Sequence, residues 1–301
     1  MSIYVEILMQ TELEKLWETT QTPEEHARWD LRFSTITYLP RPDITQPQQF
    51  LYATRIGFGM EIRGTGETVG SVEKNDVRTS ALKFWSEDPR SLIREGSGYW
   101  QYVPTAEGIR FLTQYHYQTR FGVLGHWFDR LVFRPLMGWA TAWSFDRLRL
   151  WLEKGIDPAA ALERSVVYAT VRLTLAFLWI YQGLVPKLLF RDTGELTLLQ
   201  HTHLFPGMEP TLLILVGLGE MLFGVLLLWF WRSKPLLMLN ILGLGVLGAG
   251  ALLSQPRIFV APFNPLSLSV AMSALAILGL LTAHDLPSAR LCRRQRPEKQ
   301  P

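Results

Sequence analysis

Four long apolar stretches crowd the second half of the chain, at 165–189, 211–231, 236–253 and 266–283. Each is at least about 18 residues long, close to the roughly 20 an α-helix needs to cross the hydrocarbon of a bilayer. Away from their ends they hold two charges, Arg172 and Glu220, and one strongly polar amide, Asn240. Helices apolar all round and repeated four times in succession predict membrane spans rather than buried helices of a soluble core.

Charge divides the chain at the same place. Residues 1–164 carry 19 Lys+Arg and 21 Asp+Glu, whereas the rest carry 11 and 6. The overall net charge of +3 therefore averages a slightly acidic soluble half and a basic membrane half. The basic excess lies beside the spans. Arg147, Arg149, Lys154 and Arg164 precede the first, Arg232 and Lys234 separate the second from the third, and Arg290, Arg293, Arg294, Arg296 and Lys299 follow the fourth. Only Lys187, Arg191 and Arg257 lie on the other side. By the positive-inside rule both termini are expected in the cytoplasm of an inner-membrane, multi-pass protein. No secretory leader is expected, since 1–10 reads as a strand. The positive charge is thus a topology signal, and nucleic acid is not an expected partner. The lone Cys292 rules out a disulfide framework, a Cys-X-X-Cys centre and a multi-cysteine metal site.

Within the spans, a charge at membrane depth costs at least about 2.5–3.5 kcal/mol. Arg172, seven residues into the first span, and Glu220, eleven residues before the end of the second, lie roughly 10 Å and 16 Å from the same side of the membrane at 1.5 Å per residue. That spacing predicts an intramembrane Arg172–Glu220 pair, serving either as a proton- or ligand-handling site or as a structural clasp. Gly217, Gly219, Gly224, Gly243, Gly245, Gly248 and Gly250 predict close helix packing. His201 and His203 with Glu209 lack a third ligand at a convincing spacing, so no metal is expected. The run 261–265 reads as a proline-fixed turn capping the fourth span.

In the first half, period-two alternation predicts strands at 2–9, 34–39, 50–58, 61–70, 79–86, 91–103 and 109–121. Between the first two, 11–30 reads as two short helices broken at Pro23, with Thr11 and Glu14 as a capping box. Along the last strand Phe111, Tyr115 and Tyr117 share a face, while His116 and Arg120 share the other. An aromatic face with hydroxyls suits either a sheet core or a cavity for an apolar ligand with one polar end. A helix over 123–154 follows, kinked or split at Pro135, with Leu124, Phe128, Leu131, Trp139 and Trp143 recurring at helical steps. Strands followed by a covering helix make this half α+β. Gly57-Phe58-Gly59 and Gly64-Thr65-Gly66 read as sheet bends or turns. His26, His116 and His126 are available as bases, and Arg55 or Arg120 could hold an anion, yet no catalytic motif occurs. No cofactor is expected.

Two family resemblances rest on these residues. Arg172, the run 179–190 (WIYQGLVPKLLF), Gly219-Glu220 with Gly224, and Ala261-Pro262-Phe263-Asn264-Pro265 resemble the DoxX-like integral membrane family, which implies four antiparallel spans over 165–285. Trp17 and Trp29, Phe84-Trp85, Gly98-Tyr99-Trp100 and the Trp143–Trp151 helix end resemble the SRPBCC superfamily, START-like and polyketide-cyclase-like. That implies a helix-grip fold over 1–154, a curved antiparallel sheet around a long C-terminal helix with a cavity between. Relatives of this kind mostly bind or transfer hydrophobic molecules. The expected cup lining is Trp17, Trp29, Trp85, Phe111, Tyr115 and Tyr117. A linker at 155–164 and a basic cytoplasmic tail at 286–301 complete the expected plan. The expected function is a membrane-anchored carrier for a lipid- or quinone-like molecule. An oxidoreductase-associated or ligand-modifying enzyme subunit, and an assembly scaffold with a membrane partner protein, remain open.

Overall fold

Among the described residues of the computed structural model, seven strands appear in the expected order, and the helices include two beyond those expected, one at 122–128 split from the helix expected over 123–154 and one at 195–201. The structure describes residues 2–41, 43, 45–57, 59–191, 194–201, 206–254, 256–260, 262 and 264–297. The chain forms two compact units, Met1–Ala161 with Pro287–Pro301 (unit 1) and Leu162–Leu286 (unit 2).

Unit 1 holds β1 (Ile3–Met9), α1 (Leu13–Gln21), α2 (Pro23–Trp29), β2 (Thr35–Tyr38), β3 (Gln48–Gly57), β4 (Met60–Lys74), β5 (Val77–Trp85), β6 (Ile93–Thr105) and β7 (Gly108–Thr119). All neighbours are antiparallel, in the order β1-β7-β6-β5-β4-β3-β2. Register shifts at Arg55/Gly57, Thr68/Gly70 and Ile93/Glu95 bend the sheet, as bulges do. Gly57 and Gly59 lie at positive φ in the β3–β4 turn. Gly64 and Gly66 are different: they sit within β4, not in a turn.

The helical passage that follows is α3 (Gly122–Phe128), a π turn (Asp129–Phe133) and α4 (Arg134–Lys154). Pro135 enters at the first turn of α4, where its missing N–H costs little, and the π turn absorbs the interruption. From Ala140 to Leu148 α4 is buried throughout, with Phe145 4.5 Å from Phe111 between ring centroids. This is the helix-grip arrangement, with α4 lying on the inner face of the sheet. The capping box is not formed: α1 begins at Leu13 with no side-chain cap, and Glu14 instead pairs with Arg78 at 2.6 Å. Arg78, across the sheet, offers a charged partner that outcompetes a backbone amide.

The C-terminal segment packs on unit 1. Ser288 N donates to Asp146 Oδ2 at 2.7 Å, and the Cys292 thiol donates to Ala142 O at 3.1 Å. Glu6 and Arg293 exchange two backbone hydrogen bonds of 2.9 Å, which covers the free edge of β1.

Unit 2 holds most of α5 (Pro158–Leu184), a π turn (Val185–Leu189), α6 (Glu195–His201), α7 (Glu209–Trp229), α8 (Lys234–Ser254) and α9 (Pro265–Thr282). Among the described residues, four helices are long and apolar enough to cross a membrane. The first starts earlier than expected, because Asp157 caps it through the amides of Ala159 and Ala160 and Pro158 sits at its first turn. Only 155–157 separate it from α4. Asn264 Oδ1 accepts from Ser267 N and caps α9. Ala261 and Phe263 of that turn lie outside the described residues. A Cβ on Gly217 would fall 2.8 Å from Gly183 O, and one on Gly224 2.8 Å from Ala176 O. These glycines let α5 and α7 touch backbone to backbone, the packing expected where lipid removes the hydrophobic drive. Trp179 Nε1 donates to Asn240 Oδ1 at 2.7 Å, joining α5 to α8 in the buried centre.

Candidate functional site

Strand register fixes which side chains face α4. Phe111, Thr113, Tyr115 and Tyr117 of β7 lie opposite Tyr102, Trp100, Gly98 and Gly96 of β6. These pair on with Arg78, Ser80, Leu82 and Phe84 of β5. Gly66 with Phe50, then Gly64 with Tyr52, continue the same face across β4 and β3.

This inner face has two unlike halves. Near β1, β7 and β6 it is sealed: Trp29, Tyr102, Phe111 and Phe145 are fully buried, with the rings of Trp29, Trp100, Phe111 and Phe145 in mutual contact. Near β3, β4 and β5 it is half-open, with Phe50, Tyr52, Leu82 and Phe84 only partly buried. Here rings lie over glycines of the next strand. A Cβ on Gly66 would fall 2.3 Å from the Phe50 ring, and one on Gly96 2.4 Å from Phe84. Aromatic rings that cover cross-strand glycines lie flat on the sheet. They pave a floor instead of filling the space above it.

Polar groups stand where the sealed half meets this floor. Asp30, fully buried, accepts from His26 Nε2 at 3.1 Å and from Arg32 at 2.6 and 2.9 Å. Burial works against ionising Asp30, but the Arg32 guanidinium and the His26 bond outweigh it and hold its carboxyl well below the usual range. Desolvation lowers the His26 imidazole below its ordinary value, against the Asp30 bond that favours its charged form. Arg32 in turn lies over the rings of Phe33 and Tyr115, 5.5 Å from each centroid. A second buried pair, Asp129 with Arg134 at 2.6 Å, takes the Tyr117 hydroxyl at 2.5 Å. The Tyr52 hydroxyl, raised to about 12 by burial, stays neutral and donates to Trp85 O at 3.4 Å. Chemically, the region offers flat aromatic surface for an apolar body, with the Arg32 guanidinium beside it for one polar end.

The residues expected to line the cup are placed differently. Trp29 and Phe111 belong to the sealed core, and the Tyr115 hydroxyl is bonded to Thr141 at 3.0 Å. Trp17 packs on Tyr102 with ring centroids 5.1 Å apart. Trp85 is a correction: it falls on the outer face with Lys83, because strand parity turns Phe84 inward over Gly96. Sequence reasoning missed Phe50, Tyr52 and Phe84. The signal was present in the alternation of β5, where Lys83 shares Trp85's face. His116 lies exposed on the outer face beside Ser97, His126 is exposed on α3, Arg55 is solvent-facing, and Arg120 is spent on the carbonyls of Ser86 and Asp88. None of these four joins the floor.

In unit 2 the expected Arg172–Glu220 pair does not form. Arg172, fully buried, donates to Tyr168 Oη at 2.9 Å and to Ser233 O at 2.6 Å, with Leu227 O at 3.4 Å. It therefore caps the C-terminal end of α7, where carbonyls lack helical partners. The glycine contacts explain the change. With Gly183 against Gly217 and Ala176 against Gly224, Arg172 falls level with Leu227, seven residues or about 10 Å beyond Glu220. Glu220 pairs instead with Lys187 at 2.9 Å, and Lys187 also reaches Glu195 at 2.8 Å. Of the outer histidines, His203 lies outside the described residues. Among the described residues no three metal-ligating side chains converge.

Over 296 residues the chain is 42% identical to the uncharacterized membrane protein YndG of Bacillus subtilis (strain 168), an alignment covering 98% of this chain and 97% of that protein. The chain belongs to the YndG family of membrane proteins. Residues 176–277 match the model of the DoxX-like family. Among solved structures, the chain is similar to the STAR-related lipid transfer protein of Xanthomonas axonopodis, with TM-score 0.39 and 15% identity over 50% of this chain and 85% of that one. It is also similar to the di-domain ARO/CYC StfQ from the steffimycin biosynthetic pathway, with TM-score 0.39 and 12% identity over 52% of each chain.

Proposed function

We propose that this membrane protein binds or transfers a hydrophobic molecule of lipid- or quinone-like chemistry, carried on the half-open inner face of unit 1. The observation that carries this reading is the floor of Phe50, Tyr52 and Phe84 rings lying over glycines, left partly uncovered beside a sealed core. A sheet serving only as core would have that face closed like the β6–β7 half. The apolar body of the ligand lies on the rings, and its polar end meets the edge of Arg32. Unit 2 anchors the carrier, and the eleven-to-three distribution of Lys and Arg about the spans supports placing unit 1 in the cytoplasm at the inner membrane.

Photo-crosslinking in cells tests the site. The full chain carrying p-benzoyl-phenylalanine in place of Phe84 should gain the mass of a small apolar adduct, while the same probe at Trp85, one residue away on the outer face, should not. Equal labelling at both positions, or none at Phe84, would overturn the reading.

A further inference from the structure

The passage from β7 into α4 leaves an apolar surface uncovered. Leu124 is 81% exposed, Leu131 67% and Trp127 55%, and Phe128, Leu136 and Trp139 are exposed with them. From 121 to 132 only Gly125 and Asp129 are buried. A Cβ on Gly125 would lie 1.8 Å from Arg120 O, so α3 rests on backbone along one narrow line and presents its remaining sides outward. Of these, Leu124, Phe128, Leu131 and Trp139 are residues that the sequence pattern assigned to the helix closing the cup; only the part of α4 beyond Trp139 does that work. The π turn inserts one extra residue, which turns Leu136 and Trp139 back toward the face of Leu124 and Leu131.

Between 121 and 139 the charges are carried by Asp129, Arg130 and Arg134, and Asp129 is buried and held by Arg134. Arg130 is exposed. Aromatic and aliphatic side chains on a helix with basic residues at the border are the chemistry of a helix lying in a membrane interface. Soluble proteins seldom leave such a patch bare.

Chain connectivity puts a bilayer within reach. α9 ends at Thr282, and Ser288, six residues on, is hydrogen-bonded to Asp146 of α4. Six residues span at most about 20 Å. The other connection is also fastened there, since Arg147 Nε donates to Pro158 O at 2.8 Å, at the first turn of α5. Trp139 lies seven residues earlier on α4, about 10 Å along the helix.

We propose that the exposed face of 121–139 docks in the interface of a bilayer containing anionic lipid, with Leu124, Trp127 and Leu131 among the upper acyl chains and Arg130 among the headgroups. The proposal needs the membrane spans but is independent of whether the aromatic floor holds a ligand.

The test uses the full chain reconstituted in phosphatidylcholine–phosphatidylglycerol vesicles. In a Cys292→Ala background, Leu124→Cys and Leu131→Cys are labelled with an NBD fluorophore, with Glu107→Cys in the exposed β6–β7 turn as reference. Docking predicts a blue-shifted emission at 124 and 131, quenching by nitroxide-labelled lipid, and loss of iodide quenching relative to 107. Iodide quenching equal to that at 107 would overturn the proposal. Protection from both quenchers would overturn it too, since a second copy or another part of the protein would then cover the face. If the cysteine variants do not fold, p-benzoyl-phenylalanine at Leu131 in the otherwise unchanged chain should yield a lipid adduct; a protein–protein adduct would contradict docking.

Discussion

Lys187 Nζ lies 2.9 Å from Glu220 Oε2, and the two side chains are 8% and 12% exposed. The contact is a close ion pair between two largely buried side chains. The Gly183–Gly217 approach makes it possible, because a Cβ on Gly217 would lie 2.9 Å from the Lys187 Cβ. Breaking a buried pair from one side strands a charge, at a cost of about 3–5 kcal/mol. Lys187→Met, which strands Glu220, is expected to destabilise the bundle by an amount of that order and Glu220→Gln, which leaves Lys187 paired with Glu195, by less, with the double variant less affected than their sum. Unfolding titrations in detergent measure this, and strict additivity would remove the pair.

Arg172 acts separately. Arg172→Leu loses its contacts with Tyr168, Leu227 and Ser233, and Tyr168→Phe loses its own bond to Trp231 O as well. Arg172→Leu should be the more damaging of the two, and it should add to Glu220→Gln within about 0.5 kcal/mol, as distant sites do. Strong coupling between positions 172 and 220 in the same unfolding assay would restore the pairing that the structure rejects.

Acid should weaken unit 1 through His26 and Asp30. The folded state holds the His26 imidazole below its ordinary value of 6.5, so the unfolded chain binds a proton there first. Stability from this group is present above pH 6.5 and declines as pH falls below it. Asp30, depressed in the folded state, adds a second loss at lower pH, below its ordinary value of 3.8. His26→Gln should flatten the upper part of the near-UV circular dichroism profile and leave the lower part. An unchanged upper part would contradict this.

Cys292 reports whether the C-terminal segment stays docked. Burial first, and Asp146 next, push its thiol up to about 12, and reactivity follows the thiolate. The native full chain should therefore resist maleimide at pH 7.5. Asp146→Ala removes the Ser288 anchor, and labelling should accelerate at least about tenfold if about 1.4 kcal/mol of docking is lost. Fast labelling of the unaltered chain would show the segment free.

What was legible in the sequence was what has a period. Period-two alternation along separate runs and the apolar length of the spans located the seven strands and the four long apolar helices seen among the described residues. Facing and pairing depended on register. Phe84 and Trp85 are neighbours, and only the cross-strand position of Gly96 shows which one turns inward. Depth along single helices suggested an Arg172–Glu220 pair, but glycine contacts between helices set another level. Return of the C-terminal segment to β1 has no periodic signature at all: it depends on one edge strand and on Asp146, 142 residues away from Ser288.

Native mass spectrometry of the full chain, released from detergent chosen to retain bound lipid, tests the carrier reading most directly. The unaltered protein is expected to carry one apolar molecule, and Gly66→Leu, which drives the Phe50 ring up from the floor, is expected to lose it. An empty unaltered protein, or equal occupancy in the variant, would contradict a ligand on this face.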